Sequence, residues 1–254
     1  MLNKFLKLLL LSIISILLKA CSDKNSDEIY SWKEIEVNEG NCGEESCINI
    51  AIKYPIIQIQ EQHSDLLNEE IQRMINQHLI IDGKSIPSSI QDGVKYFKNY
   101  FKEEKARFED RKIQYTAFSE SEVSYQDSAV HSIIFKTEIY TGGANGMSYF
   151  NILNFQPQTG SIIRFEDLII NRELLEIIAE QQFRKQFKIA DDVRFKDVGY
   201  FLDEDFFITE KIGFEGNNLV ILYDKYEAGA GYIGPIQLKI PLSELEDVLN
   251  LKFK

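Results

Sequence analysis

Residues 130–150 read VHSIIFKTEIYTGGANGMSYF and contain the clearest folding pattern in the chain. Ile133, Phe135 and Ile139 occupy alternate positions, with Lys136 and Glu138 between them. This alternation indicates a β-strand, because successive side chains of a strand point to opposite faces. The glycine-rich stretch Gly142–Gly146 interrupts this pattern, and strand-like sequence resumes at Met147. The region therefore predicts two strands separated by a loop in which glycine permits unusual backbone angles.

Amphipathic segments on both sides of this region predict helices. The first begins near Ser64 and repeats apolar residues at steps of three and four, and the second runs from about residue 90 to 108. Asn171 is placed to cap a third helix. Ser243-Glu244-Leu245-Glu246 has the form of a capping box, which predicts that a last helix begins there. The apolar residues of the first three helices are Leu67, Ile71, Met74, Ile75, Leu79; Val94, Phe97, Phe101; and Leu175, Ala179, Phe183, Phe187.

Further strand-like stretches occur near residues 32–37, 48–52, 114–125, 162–165, 206–209, 219–223 and 236–240. Together these elements predict an α+β fold with antiparallel sheets and packed helices. We place an N-terminal half at residues 31–155 and a C-terminal half at 156–250. Because no linker-like sequence follows residue 30, the two halves are expected to form one compact unit.

The N-terminus has the pattern of a bacterial lipoprotein signal peptide. Lys4 and Lys7 precede an apolar run from Leu8 to Leu18, which is too short to span a bilayer as a helix. Ala20 then precedes Cys21, although Lys19 departs from the usual small or neutral residue. We predict a signal peptide at 1–20, lipidation of Cys21 and a tether at 21–30. Cleavage without lipidation and an uncleaved anchor are the alternatives.

The predicted cellular location is the cell envelope. Ser22 follows the lipidation site, where an aspartate favours retention in the inner membrane of Gram-negative bacteria, so the outer membrane is the expected location.

The mature protein is strongly acidic. The whole chain carries −12, and removal of a segment with three lysines and no acid leaves −15. Such a body repels nucleic acid and anionic lipid head groups and attracts cationic partners through long-range steering. Solubility alone would also account for this charge.

Cys42 and Cys47 are the two cysteines that remain after Cys21. An even pair in an oxidising compartment predicts a disulfide. A metal site is disfavoured because no second pair of cysteines or histidines completes four ligands.

The sequence does not contain a recognisable catalytic constellation. The histidines His63, His78 and His131 are dispersed, and nucleophile-elbow, P-loop and dinucleotide motifs are absent. Asp203-Glu204-Asp205 could bind calcium but is typical of a solvated loop, and Glu166-Asp167 is more typical of a helix start than of a glycosidase pair. We assign no catalytic residue, metal or cofactor and predict that the protein is not an enzyme.

Two glycine-rich loops flanked by tyrosine are the candidate binding sites. Loop 1 is Tyr140–Gly146 and loop 2 is Tyr226–Pro235. Tight turns between strands would explain the glycines, whereas exposed backbone amides and tyrosines would form a ligand surface. The candidate partner-binding residues are Tyr140, Thr141, Gly142, Gly143, Ala144, Asn145, Gly146, Tyr226 and Tyr232.

Loop 1 resembles the Gly-Gly-Ala-His-Gly motif of a bacterial envelope family. That family includes the extracellular domain of RsiV-like, lysozyme-sensing anti-sigma factors and the N-terminal region of PdaC-like peptidoglycan deacetylases. The ordered matches are Tyr54-Pro55, Leu67-Asn68, Asn154-Phe155, Thr159-Gly160, Phe165–Leu168, Phe206–Thr209, Gly234-Pro235 and Ile240–Leu245, which span most of residues 31–250.

This resemblance implies a DUF4163-like N-terminal half, an RsiV-like (DUF3298-type) C-terminal half and envelope recognition. Asn145 stands where the family usually has histidine, so any role of that imidazole is missing. The deacetylase catalytic domain and the anti-sigma factor's transmembrane and cytoplasmic segments are also not found. The resemblance therefore does not imply the complete deacetylase or anti-sigma activity for this chain.

Three hypotheses for function follow. The first is a lipid-anchored binding protein for a lysozyme-like cationic protein or a peptidoglycan fragment. The second is a structural or assembly lipoprotein without a specific ligand. The third is a peptidoglycan-acting hydrolase with an unrecognised site, which would require converging titratable groups.

Overall fold

The structure, a computed structural model, describes residues 29–203 and 205–250. The predicted signal peptide at 1–20 and the lipidation site Cys21 lie outside the described residues. Within the described ranges, none of the helices combines the length and apolar character needed to cross a membrane. The fold is α+β, as predicted, with two sheets and four α-helices among the described residues.

The first sheet contains six strands in sequence order. They are β1 (Tyr30–Glu39), β2 (Cys47–Ile57), β3 (Gln114–Gln126), β4 (His131–Thr141), β5 (Met147–Phe155) and β6 (Ile162–Ile163). The prediction of purely antiparallel sheets is wrong in one place, because β2 and β3 pair in parallel. Two helices connect these strands, and such a crossover returns the chain to the same end of the sheet.

Those helices, α1 (Glu61–Leu79) and α2 (Ile90–Arg107), cover one face of the first sheet. Leu67, Ile71 and Phe97 are completely buried there, as their spacing predicts. The first helix begins three residues before Ser64, whose hydroxyl instead accepts a hydrogen bond from the Ile59 amide at 2.8 Å. The serine therefore fixes the entry of the chain into the helix rather than capping it.

The second sheet contains β7 (Ile212–Glu215), β8 (Asn218–Tyr223) and β9 (Ile236–Pro241), all antiparallel. A short helix, α3 (Phe165–Leu168), leads into α4 (Arg172–Phe187), which packs on this sheet. The predicted cap of α4 is confirmed, since the Asn171 side chain accepts from the Leu174 amide at 3.1 Å. Phe183 of α4 is completely buried among the aromatic rings of the second half.

Two predicted elements of the second half are wrong. Residues 206–209 are not a strand; there the Tyr223 hydroxyl donates to the Phe207 carbonyl, and Thr209 donates to Leu222. Residues 242–244 form only a 3₁₀ turn instead of opening a helix. Leu245 and Val248 are buried behind that turn, and the Ile170 amide donates to Val248, so tertiary packing overrides the local capping pattern.

The two sheets are joined by a buried polar network. The Asn154 side chain accepts from the Ser132 hydroxyl at 2.6 Å and donates to the Ile212 carbonyl at 2.7 Å. Ser132 in turn accepts from the Phe214 amide at 3.1 Å. Gly213 lies so close to β5 that an added Cβ would collide with the Ile152 and Asn154 side chains. The halves thus form one compact unit, as predicted, and β6, beyond residue 155, belongs to the first sheet.

The predicted disulfide between Cys42 and Cys47 is confirmed. It closes the connection between β1 and β2, with the two Cα atoms 5.2 Å apart. By constraining the unfolded chain, such a short closed loop stabilises the fold by roughly 2 kcal/mol.

Candidate functional site

The first sheet has two distinct ends, which we call proximal and distal. Tyr30, the first residue of β1, pairs with Ile57 at the proximal end, where β4 begins at His131. Glu39, Thr141 and Met147 lie at the distal end. The N-terminal segment therefore enters at the proximal end, and loop 1, between β4 and β5, lies at the distal end.

Loop 1 is an exposed turn whose glycines have structural reasons. Gly142 has a φ of +80°, in the left-handed region that favours glycine. A Cβ on Gly146 would lie 3.0 Å from the Ile139 carbonyl oxygen. Thr141 to Asn145 are exposed, and Tyr140 is half-buried where β4 ends. The glycines thus build a turn that leaves the intervening backbone open to solvent.

Loop 2 is organised around its two tyrosines. Tyr226 has a φ of +74°, which is unusual for a bulky residue, and its ring lies over Gly231, where an added Cβ would come 2.1 Å from the ring. Tyr232 is 85% exposed, and its hydroxyl reaches Gly199. Strained backbone of this kind persists where the surrounding structure holds it, often at ligand contacts.

Lys225 connects the two loops. Its ammonium group donates to the Gly146 carbonyl at 2.7 Å, and its amide donates to the Ser148 carbonyl at 2.9 Å. The preceding Asp224 accepts from the Phe150 amide at 2.7 Å. Loop 1 and the start of loop 2 are therefore one continuous surface, which we call the loop surface. Tyr232 lies at the other side of loop 2, next to Gly199 and Tyr200.

A half-buried charged cluster supports this junction. The Lys211 ammonium group lies 2.9 Å from the Asp224 carboxylate and 2.8 Å from that of Glu227. The Glu227 carboxylate also accepts from the Asp224 amide at 2.6 Å. One cation is thus shared by two carboxylates, which fixes the conformation at the start of loop 2.

His78 and Tyr149 lie beside this cluster and stack with ring centroids 4.2 Å apart. The His78 Nε2 atom accepts from the Asn151 amide group at 2.8 Å, and the Gln77 amide group lies 3.2 Å away. Burial lowers the pKa of His78 to about 4, while Asp224 opposes the shift and Lys211 adds to it. Burial and Asp224 raise the pKa of Tyr149. The imidazole is therefore neutral at pH 7 and acts as an acceptor.

This environment predicts a loss of stability in mild acid. Because the pKa of His78 is lower in the folded protein than in the unfolded chain, the unfolded state binds more protons below about pH 6.5. The stability that neutral His78 contributes to the free energy of unfolding is complete above that pH and is lost as the pH falls towards 4. Between pH 7 and about pH 4.5, wild type should lose about 2 kcal/mol more unfolding free energy than His78→Gln, measured by urea denaturation.

The variant shares all carboxylates with wild type, so their titration cancels in this difference. Equal losses in the two proteins would show that His78 does not titrate in this way.

Other residues singled out from the sequence have structural roles. His131 contacts the Tyr30 hydroxyl at 2.6 Å, and His63 packs against Gly160, so the three histidines do not converge. Asp167 accepts from the Arg164 amide at 2.9 Å and starts α3, as expected. Glu204 of the acidic triplet lies outside the described residues. Among the described residues, no group of three or more His, Cys, Asp or Glu side chains could hold a metal ion.

Sequence reasoning missed the residues that join the loops. Lys225 and Glu227 flank Tyr226, but nothing in the sequence indicates that Lys225 meets Gly146, 79 positions earlier. Lys211 precedes β7, Asp224 follows β8 and His78 lies in α1, and together they show no motif. Packing of the second half against β5 brings them together.

Comparison with known proteins agrees with this architecture. Residues 42–148 match the family model described as deacetylase PdaC, and residues 166–243 match a protein family of unknown function, DUF3298. The chain therefore carries a PdaC-type region followed by a DUF3298-type region, and the resemblance found in the sequence is confirmed at that level. A search of curated proteins found no match.

Two crystal structures show the same fold. A DUF3298 family member from Bacteroides fragilis is similar with a TM-score of 0.68 and 23% identity, over 90% of this chain and 96% of that one. A DUF3298 family protein from Pseudomonas aeruginosa PAO1 gives a TM-score of 0.66 and 16% identity, over 89% and 97%. At these identities the likeness establishes the fold alone.

Proposed function

We propose that this protein is a lipid-anchored binding module of the cell envelope, located at the outer membrane, whose loop surface recognises a lysozyme-like cationic protein or a cell-wall glycan. The observation that carries the proposal is the junction of the two loops through Lys225. It turns two separate glycine-rich segments into one surface with exposed backbone and tyrosine rings. Such residues provide rigid contact area and hydrogen bonds at low entropy cost.

The position of this surface suits a tethered receptor. If Cys21 carries the lipid, eight residues, 21–28, precede Ile29, and they reach at most about 28 Å from the membrane. β4 runs from His131 at the proximal end to Thr141 at the distal end, a distance of about 33 Å. Loop 1 would thus face away from the membrane that holds the protein.

Charge supports a cationic partner over a neutral one. The mature chain carries −15, which increases the rate of encounter with a basic protein and makes it sensitive to salt. The specific candidate, a lysozyme-like protein, comes from the family resemblance.

A binding role also fits the groups at the surface better than a catalytic one. Lys211 is engaged by Asp224 and Glu227, and His78 accepts from Asn151, so these titratable groups stabilise the junction. The name deacetylase describes the matched family model.

Tyrosine substitutions test the loop surface. Tyr140→Ala and Tyr226→Ala, one at each side of the junction, should each weaken partner binding by about tenfold or more, because aromatic anchors dominate such interfaces. The measurement is isothermal calorimetry with lysozyme and with peptidoglycan fragments. Phe118→Ala removes an aromatic ring of 39% exposure outside the loop surface and should bind like wild type. Unchanged binding in both tyrosine variants would remove the loops from the site.

The anchor is tested separately in cells. Wild type should incorporate a clickable fatty acid and fractionate with the outer membrane, whereas Cys21→Ser should do neither, because the thiol is the predicted acceptor. Equal labelling of the two proteins would contradict lipidation at Cys21.

A further inference from the structure

The two ends of the first sheet differ in charge. At the proximal end, the turns at 58–60, 126–130 and 156–162 contain fifteen residues and a single charge, Asp127. At the distal end, the segments 40–46, 108–113 and 141–146 contain nineteen residues and six charges. Glutamine, serine and threonine make up much of the proximal turns, although charged residues are 27% of the whole chain.

The single charged side chain of these turns, Asp127, accepts hydrogen bonds from neighbouring residues. The Asp127 carboxylate accepts from the amides of Ala129 and Val130, both at 2.7 Å, and from the Tyr125 hydroxyl at 2.9 Å. Asp65, near the start of α1, is an exposed acid at the same end. The solvent-facing parts of the turns themselves therefore present neutral hydrogen-bonding groups.

Aliphatic side chains are exposed beside the same turns. Leu66 is 58% exposed, Ile86 is 43% exposed and Ile162 is 39% exposed. Together with Gly160 and Ser161 they line an open groove of about 750 Å³, whose lining also includes Glu69, Glu70 and Arg73. Exposed aliphatic groups beside these nearly uncharged turns of an acidic body suggest an interaction surface.

We infer that the proximal end is the surface that lies against the lipid bilayer, with the turn 156–162 and Leu66 in the head-group layer. The inference rests on the proposed lipid anchor at Cys21, since eight residues of tether enter at Ile29 on this end. A body of −15 is repelled by an anionic leaflet within a Debye length of about 8 Å. The nearly uncharged turns allow the closest approach, and Ile162 in one of them presents an aliphatic group to the interface.

A pair of labelled cysteines tests this orientation in the lipidated full-length protein. Ser128→Cys places a thiol in an exposed proximal turn, and Ala144→Cys places one in exposed loop 1. Cys42 and Cys47 are bonded to each other, so the new thiol accepts the dye. On vesicles containing nitroxide-labelled lipid, a nitrobenzoxadiazole dye at position 128 should be quenched several-fold more than the dye at position 144.

The outcomes separate this inference from the proposed function. Protein that does not float with vesicles contradicts the anchor and this inference together. Protein that floats but shows equal quenching at the two positions contradicts the orientation alone and leaves the anchor intact.

A second variant tests the aliphatic contact. In the Ser128→Cys background, Ile162→Glu should reduce quenching several-fold, while Ile177→Glu, at a site of 57% exposure on α4, should not. Quenching that is unaffected by Ile162→Glu would overturn the placement of the 156–162 turn at the interface.

Discussion

Replacing Asn154 with alanine is expected to lower the free energy of unfolding by about 3 kcal/mol. The side chain is 5% exposed, accepts from Ser132 and donates to the Ile212 carbonyl. Alanine would leave both partners buried without their bonds, and each unsatisfied group costs about 1–3 kcal/mol. Urea denaturation followed by circular dichroism measures the change. Because this network joins the two sheets, the variant tests whether they fold as one unit.

Asn145→Ala is the matched control, since Asn145 lies exposed in loop 1. It should change stability by less than about 0.5 kcal/mol. If Asn154→Ala were equally mild, the buried network would not be what holds the sheets together.

Replacing Phe183 with alanine should be more damaging, with an expected loss of about 4 kcal/mol. Phe183 is completely buried, and its ring lies 4.5 Å from that of Phe187 and 5.1 Å from those of Tyr200 and Phe201, centroid to centroid. Removing it leaves a large cavity between α4 and the second sheet, and the surrounding rings cannot all close around it. Thermal and urea unfolding of the purified protein measure this loss.

Phe108→Ala provides the comparison, because Phe108 is 37% exposed beyond the end of α2. The same chemical change there should cost less than about 1 kcal/mol. A Phe183→Ala protein as stable as Phe108→Ala would contradict the aromatic core of the second half.

Much of this fold follows from local patterns in the sequence. The spacing of Phe97 and Phe183 predicts helices with one buried face, and both residues are completely buried. Alternation in β4 predicts which side chains face the core, and the side chain of Asn171 predicts the start of α4. These features depend on neighbours within a few residues, which is the range over which a sequence pattern is informative.

The rest depends on contacts between distant segments. Asn154 meets Ile212 across 58 positions, and its polarity alone does not show that it is buried. The capping pattern at Ser243 predicts a helix, but burial of Leu245 and Val248 against the second half imposes a 3₁₀ turn instead. Tertiary packing outweighs a cap, which contributes only about 1 kcal/mol.

The candidate site, too, follows only in part from the sequence. Glycines and tyrosines identify the two loops, because both residue types have recognisable roles in turns and interfaces. The junction through Lys225 and the cluster of Lys211, Asp224 and Glu227 could not be predicted, since they arise from the packing of the second half against β5. Sequence therefore indicates the parts of the surface, and only the fold shows that they are joined.

A calorimetric titration of the wild-type protein tests the central claim of envelope recognition most directly. Lysozyme is titrated at about 50 mM and about 300 mM salt, and peptidoglycan fragments are titrated under the same conditions. We predict saturable binding of lysozyme that weakens at the higher salt, as expected for an acidic receptor and a cationic partner. The absence of saturable binding to either ligand at the lower salt would contradict the proposed function.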